Sequence, residues 1–404
     1  MFMFFHVGYP VRSCLGGEVV RGIFLSPQSV CMHTTPGGYL CEADPGQKNW
    51  AGTLMCHNDC HSGFHVEECQ QGVLRDLMKR EEMQMSLCEK SSEDRLWEAC
   101  FLEDIENATR LVRAGAEMNS ISEQYGTSPF VCAVRYAEKK PHMVQELLEL
   151  GGNPNAQDDF GVTPLMEAVR WNPLQEITLM LLDAGGEINS SDDLGNTSLI
   201  YSTKNACDDI PRALLEAGAD VNAQNHAGMT PLMFATVHGD PKRASLVKMF
   251  LEAGADVNAR DHEGKTALIL SARDAQNVYI LKRLASHKKS DLNAVDSDGR
   301  NALLYASYSK WSSGVKMLLN LGADVNLPGP DEETPLMIWA REGDVKMIEH
   351  LLIAGADATA VDVAGESPVH WAVKNPKCSF DVIKALGGSR EARSYFGRTA
   401  FQDA

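Results

Sequence analysis

The chain has 404 residues, of which 44% are hydrophobic and 23% are charged, the proportions of an ordinary water-soluble protein. Its 37 Lys and Arg residues against 55 Asp and Glu residues leave a net charge of -18. Nucleic acid and anionic lipid both attract basic surfaces, so this balance argues against either as a general partner, and we expect no direct binding to them.

The start of the chain, Met1 to Val7, is apolar but lacks a basic region and a small-residue cleavage site, so we expect no signal peptide. No stretch approaches about 18 uninterrupted apolar residues, so we expect no membrane span. Cys100 and Cys132 lie on apolar helical segments and are interpreted as buried thiols, which favours a reducing compartment. The sequence therefore favours a cytoplasmic protein, and we expect a monomer.

Residues 1–90 form an irregular segment rich in Cys and His, which holds seven of the 11 cysteines. Within it, Cys56, Cys60, His65 and Cys69 could supply four soft ligands to a zinc ion. The first pair is separated by three residues, whereas a zinc knuckle has two between them. The alternatives are a disordered segment without metal, and a true start further along, near Met78. Outside this cluster we expect no cofactor.

A block then recurs every 32 to 36 residues to the C-terminus, which is the period of a solenoid of stacked repeats. The copy at residues 225–260 shows how each block folds. Gly228 is suited to a turn, Thr230 to a helix N-cap, and Pro231 to the first position of a short helix. A second amphipathic helix follows and ends at Gly254. We therefore predict an all-α fold of helix pairs.

These repeats resemble the ankyrin repeat. Thr-Pro-Leu recurs from Thr163, Thr230 and Thr334, and Gly-Ala-Asp-Val-Asn recurs from Gly218, Gly254 and Gly322. The resemblance implies a domain over residues 91–404 built from β-turn, helix and helix units, about nine of them and a C-terminal half-repeat. The nine repeats are assigned to residues 93–122, 123–157, 158–191, 192–224, 225–260, 261–295, 296–328, 329–361 and 362–395.

Three departures from the repeat fall close together. Residues 286–290 replace the closing glycine of one repeat, Glu332 stands where a turn glycine belongs, and Trp339 occupies a position that is usually Ala. We expect the turn at Glu332 to differ locally and the Trp339 ring to crowd the adjacent helix. Coupling between repeats should then be weaker near residues 285–340.

The resemblance also implies a function, because ankyrin proteins usually bind protein partners through the turn tips and the concave surface of the first helices. It predicts a non-enzymatic scaffold or adaptor, and no catalytic constellation argues otherwise. Aromatic and basic side chains at the turns and first-helix ends suit an acidic and apolar partner segment. The candidate partner-binding residues are Tyr125, Arg135, Tyr136, Phe160, Arg170, Trp171, Lys204, Arg273 and Arg341.

Other interpretations stay open. The basic side chains could only compensate helix dipoles, and Tyr136 and Trp171 could pack over the next repeat instead of facing a partner. The chain could also be a regulatory or nucleic-acid-associated protein, in which the repeats target a small zinc-binding N-terminal module. Ankyrin arrays occur in secreted bacterial effectors as well.

Overall fold

The computed structural model describes residues 91–387 except 123, 138–139, 172–173, 205–207, 238–242, 274–277 and 376–378, together with the backbone of four short strands. Strands β1 (Cys14–Leu15) and β2 (Glu18–Val19) pair antiparallel, as do β3 (His33–Thr35) and β4 (Gly38–Leu40). The candidate zinc ligands Cys56, Cys60, His65 and Cys69 and the C-terminal half-repeat lie outside the described residues.

The chain divides into two compact units, Met1–Asp159 and Phe160–Ala404. The helices of the N-terminal unit are α1 (Ser92–Phe101), α2 (Ile105–Arg113), α3 (Pro129–Tyr136) and α4 (His142–Glu149). Those of the C-terminal unit are α5 (Pro164–Trp171), α6 (Gln175–Asp183), α7 (Ser198–Ser202), α8 (Asp209–Glu216), α9 (Pro231–Thr236), α10 (Arg243–Glu252), α11 (Ala267–Arg273), α12 (Val278–Ala285), α13 (Ala302–Tyr308), α14 (Ser312–Asn320), α15 (Pro335–Glu342), α16 (Val345–Ile353), α17 (Pro368–Val373) and α18 (Phe380–Ala385).

The helices form two layers within the C-terminal unit, and the predicted all-α repeat fold is confirmed. Odd-numbered helices are the first helices of their repeats and pack on one another, as α11 does on α13 and α15 does on α17. Even-numbered helices form the second layer, where α12 lies between α10 and α14. Among the residues that the structure describes, none of the helices combines the length and apolar character needed to cross a bilayer.

The core lies between the two layers, because each helix buries one apolar stripe. In the repeat at residues 225–260, Leu232 and Ala235 of α9 and Leu246, Val247 and Phe250 of α10 are buried. These positions recur at helical spacing, as the sequence pattern predicts. Burial of such apolar surface is the main stabilising contribution to each repeat.

The predicted helix start is confirmed. The Thr230 hydroxyl accepts the N–H of Met233 at 3.3 Å, and Pro231 follows at the first helical position. This bond satisfies one of the donors that a helix N-terminus leaves unpaired. Cys100 and Cys132 are buried free thiols, also as predicted, and burial raises the pKa of Cys100.

In the described part of the C-terminal unit an asparagine after the second helix joins one repeat to the next at five places, Asn189, Asn222, Asn258, Asn293 and Asn326. The Asn222 Oδ1 accepts the N–H of Asp256 at 2.7 Å, and its Nδ2 donates to the Gly254 carbonyl at 3.3 Å. Asn326 makes the same pair of bonds, to the N–H of Asp357 and the carbonyl of Gly355. This pair of hydrogen bonds between neighbouring repeats explains why Asn recurs in the closing motif.

The turn at Glu332 keeps the ordinary main-chain conformation, so the expectation of a locally different backbone is wrong. Glu332 adopts a φ of 58°, and its N–H bonds to the Gly329 carbonyl at 3.0 Å, as Gly299 does to Asp296 at 2.9 Å. The difference lies in a side chain. Elsewhere a turn Asp accepts main-chain N–H groups, but here position 329 is Gly, and the Glu333 carboxylate accepts the N–H of Asp331 at 2.8 Å.

The segment at residues 286–290 lacks a closing glycine because its loop is one residue longer. Five residues lie between the buried Phe250 and Asp256, whereas six lie between the equivalent Leu284 and Asp291. The extra residue lets the chain turn without the positive φ that Gly254 adopts. The link to the preceding repeat is kept, since Asn258 Nδ2 donates to the Lys289 carbonyl at 2.6 Å.

Candidate functional site

The candidate aromatic residues of the N-terminal unit take part in packing. The Tyr125 ring stacks on Trp97 with ring centroids 3.9 Å apart, and its hydroxyl donates to Glu98 at 2.7 Å. Tyr136 meets Phe101 edge-on at 4.8 Å, and the Arg135 guanidinium lies 5.9 Å from the Tyr136 ring centroid. Both tyrosines are half-buried. Tyr136 therefore packs against another repeat, but this is the preceding repeat and not the next one.

A cluster of cations and aromatic rings forms at the first-helix ends of the C-terminal unit. The Arg170 guanidinium lies 4.7 Å from the ring centroid of Trp171 and 5.4 Å from that of Tyr201. The Lys204 ammonium lies 5.3 Å from the same Tyr201 ring. Cations within about 6 Å of a ring face are attracted by the ring's quadrupole. The structure thus brings the candidates Arg170, Trp171 and Lys204 together around Tyr201, a residue that the sequence analysis did not name.

Tyr201 is held in place by the turn that precedes its helix. One oxygen of Asp192 accepts the N–H groups of Leu194 and Asn196, at 2.9 and 2.7 Å, and the other accepts the Tyr201 hydroxyl. Burial, followed by this bond to Asp192, raises the pKa of Tyr201, and the Arg170 charge opposes that shift. The neutral ring therefore keeps a fixed orientation beneath the two cations.

The hydrogen bond from an aromatic side chain to a turn Asp recurs in other repeats, at a constant spacing in the sequence. Tyr305 donates to Asp296 at 2.6 Å, and Trp371 donates to Asp362 at 2.8 Å. In each case, as for Asp192 and Tyr201, the donor follows the turn Asp by nine residues. An aromatic donor nine residues after a turn Asp is thus a signal that the sequence interpretation passed over.

The turn tips of the C-terminal unit are joined by a ladder of main-chain hydrogen bonds. Each bond runs from the N–H of one tip to a carbonyl of the tip before it, as Asp193 donates to Phe160 at 2.9 Å. The others run from His226 to Leu194, from His262 to Ala227, from Ser297 to Glu263 and from Val363 to Asp331. The corresponding donor in the remaining repeat would be Pro330, and proline has no N–H.

The ladder fixes where the tip side chains stand. The Phe160 side chain is 40% exposed at its tip, and Leu194 is exposed to the same extent. Phe160 belongs to the repeat that also carries Arg170 and Trp171. Phe160, Arg170 and Trp171 therefore occur in one repeat, and Tyr201 and Lys204 occur in the next.

The remaining basic candidates do not join this cluster. Arg273 and Arg341 are exposed at the first-helix ends of later repeats. Val237 occupies the equivalent position between Lys204 and Arg273, and Tyr308 occupies it between Arg273 and Arg341. Lys374, at that position in the last helix pair, forms an ion pair with Glu366. At the first-helix ends of this unit, basic side chains in neighbouring repeats therefore come together only at Arg170 and Lys204 among the described residues, and they do not form an unbroken stripe.

Within the part of the chain that the structure describes, no three His, Cys, Asp or Glu side chains gather in a group that could hold a metal ion. The cluster around Tyr201 offers neither a nucleophile with a neighbouring base nor a cradle for phosphate. Its chemistry is that of recognition, since it combines two cations with two aromatic rings, and the repeat that carries Arg170 also has an exposed apolar tip.

Comparison with known proteins agrees with the repeat architecture. A family model described as ankyrin repeats (3 copies) matches four overlapping stretches, residues 96–192, 174–261, 232–329 and 313–394. The chain is 36% identical over 107 residues to neurogenic locus notch homolog protein 1 of Xenopus tropicalis, and 33% identical over 104 residues to that of Mus musculus. The matched segments cover 26% and 25% of this chain, and 4% of each relative.

Proposed function

The chain belongs to the ankyrin repeat family, and on that premise we propose that it is a non-enzymatic adaptor that holds a partner protein on its C-terminal unit. Ankyrin repeats are a protein–protein interaction module. The observation that carries the proposal is the placement of Arg170 and Lys204 around the Tyr201 ring. We propose a cytoplasmic, monomeric protein.

The partner segment is acidic with an apolar group. Arg170 and Lys204 offer positive charge where the protein as a whole is acidic, so they attract carboxylates selectively. Phe160, 40% exposed in the same repeat as Arg170, offers an apolar contact. Arg and aromatic side chains contribute most to interface hot spots, so a few residues here can dominate affinity.

We propose that Phe160, Arg170, Trp171 and Lys204 contact the partner. The Tyr201 ring supports the two cations. Tyr125 and Tyr136 are engaged in packing within the N-terminal unit, with Arg135 beside Tyr136. Arg273 and Arg341 are exposed at later repeats and extend the surface for a longer partner.

The test is capture of partners by the full-length chain, with charge reversal at the cluster. Arg170→Glu combined with Lys204→Glu should abolish capture of a specific protein, while Lys346→Glu, an exposed lysine on α16, should leave capture intact. Phe160→Ala should weaken capture at least about tenfold if the apolar contact is a hot spot. Unchanged capture by the folded double variant would refute the proposed site.

A further inference from the structure

The second-helix layer of the C-terminal unit carries a row of cations at one repeat position. This position lies six residues before the closing glycine, or before Lys288 where that glycine is missing. In four consecutive repeats it holds Arg212, Lys248, Lys282 and Lys316, on α8, α10, α12 and α14, and all four side chains are exposed. The repeat before holds Leu179 and the repeat after holds Glu349, so the row has definite ends.

An open groove of about 760 Å³ lies between α10 and α12, the helices that carry Lys248 and Lys282, and Glu252 is the acidic residue in its lining. Lys248, Lys282, Arg283 and His287 contribute to its lining, together with Tyr279, which is 72% exposed. Lys288 and Lys289 lie on the exposed loop just beyond. Residues 275–290 contain four Lys and Arg residues and no Asp or Glu, in a chain whose net charge is -18.

An acidic residue four positions later on the same helix accompanies two of the four cations. Glu252 forms an ion pair with Lys248 at 3.7 Å, and Glu216 follows Arg212 at the same four-residue spacing. At the equivalent positions after Lys282 and Lys316 the chain carries Ser286 and Asn320, which are uncharged. Lys282 and Lys316 therefore have no acidic residue at this spacing on their own helices, and Glu349 bounds the row after Lys316.

The spacing of the row selects the shape of its ligand. Packed helices lie about 8–10 Å apart, so cations on successive helices repeat at about that interval. A polyproline II chain has three residues per turn and rises about 3.1 Å per residue, so every third side chain lies on one side, about 9 Å from the last. Aromatic side chains line the grooves that bind such chains, and Tyr279 supplies one here.

We propose that this surface is a second docking site, separate from the cluster around Tyr201, and that it binds an extended acidic protein segment with Asp or Glu at every third position. The carboxylates pair with Lys282 and Lys316 first and then with Lys248 and Arg212. A protein segment fits better than an anionic membrane, because the net charge of -18 opposes approach to a broad negative surface, whereas a segment engages only the local cations.

The test uses a labelled peptide of Glu-Pro-Pro repeated four times and the full-length chain, with binding followed by fluorescence anisotropy at low salt. A second peptide of the same composition has its four Glu residues contiguous. We expect the spaced peptide to bind at least about fivefold more tightly, because only its carboxylates match the helix spacing. Equal affinity for the two peptides would overturn the proposal.

Lys282→Glu combined with Lys316→Glu should weaken binding of the spaced peptide at least about tenfold, since each reversal turns an attraction into a repulsion. Lys346→Glu is the matched control and should change affinity less than about twofold. Circular dichroism and melting establish that each variant is folded. Equal losses in both variants would show general electrostatic attraction and overturn the site.

Two further measurements distinguish the alternatives. Vesicles containing phosphatidylserine should not sediment the wild-type chain; sedimentation that is lost in the Lys282 and Lys316 double variant, with no peptide binding, would assign the surface to a membrane. The Arg170→Glu and Lys204→Glu double variant should bind the spaced peptide normally. The two double variants therefore test the cluster around Tyr201 and the row of cations independently.

Discussion

Oδ1 of Asn222 accepts the main-chain N–H of Asp256 at 2.7 Å, so a side chain of one repeat holds the backbone of the next. The Asn222 amide also donates to the Gly254 carbonyl at 3.3 Å. These contacts are exposed, so water can replace part of each bond when the side chain is removed.

Asn222→Ala should lower the free energy of unfolding by about 1 kcal/mol, the net value of a typical hydrogen bond. Asn222→Asp keeps an acceptor for Asp256 but loses the donor to Gly254, so its loss should be smaller. Urea unfolding followed by circular dichroism measures both. An alanine variant as stable as the wild type would show that the asparagine does not couple the repeats.

Gly329→Asp should destabilise the chain by about 1–3 kcal/mol, although Asp is the ordinary residue at this turn position. A Cβ at Gly329 would overlap the Glu333 carboxylate, and a second carboxylate would repel it. Glu333→Ala alone should also destabilise, because Tyr308 and the N–H of Asp331 lose their acceptor. Thermal melting of each variant gives the two losses.

The double variant Gly329→Asp with Glu333→Ala should recover more than half of those summed losses, because the new Asp can accept the turn N–H as Asp296 does in its own repeat. Simple addition of the two single effects would contradict the exchange of carboxylates that we describe at this turn.

Stability should fall as pH rises from about 10 to about 12. Burial, then the hydrogen bond to Asp296, raises the pKa of Tyr305 to about 12, against 10.0 for a free tyrosine. The folded state thus holds the phenol proton more tightly than the unfolded state does, and this contribution is complete below pH 10 and lost as pH rises toward 12. Burial raises the pKa of Tyr308 as well, in the same direction.

Melting temperatures between pH 8 and pH 12 measure this loss, with absorbance of the phenolate as a second signal. Tyr305→Phe should flatten the alkaline fall, because it removes one of the groups whose proton affinity changes on unfolding. Tyr279→Phe, at a ring that is 72% exposed, is the control. If the melting temperature of Tyr305→Phe falls with rising pH as much as that of the wild type, Tyr305 does not contribute to the loss of stability.

The repeat period predicted the helix pairs because turn glycine, N-cap and apolar stripe all recur in phase along the chain. It could not predict that Tyr125 and Tyr136 are covered, since that depends on Trp97 and Phe101 in the preceding repeat and not on their own position. The position of Tyr201 beside the two cations was likewise not predicted, because it depends on a contact with another segment of the chain.

The bond of Tyr201 to Asp192 joins a turn to a helix, whereas the sequence interpretation weighed the turn tips and helix ends separately. At the turn of Glu332, the sequence instead suggested a difference that the structure does not show. One missing glycine suggested a different backbone, but a compensating glycine three residues earlier and the neighbouring Glu333 preserve the turn. Only the geometry relates these three positions.

The ladder along the turn tips has a consequence for how binding specificity can change. Since tip N–H groups such as those of Asp193 and His226 donate to the preceding tip, they are not available to pair with an added strand from a partner. Recognition along this edge therefore rests on side chains, which can be exchanged without disturbing the backbone that presents them. New partners can thus be acquired by substitution at the tips, while the ladder keeps the spacing of the contact points constant.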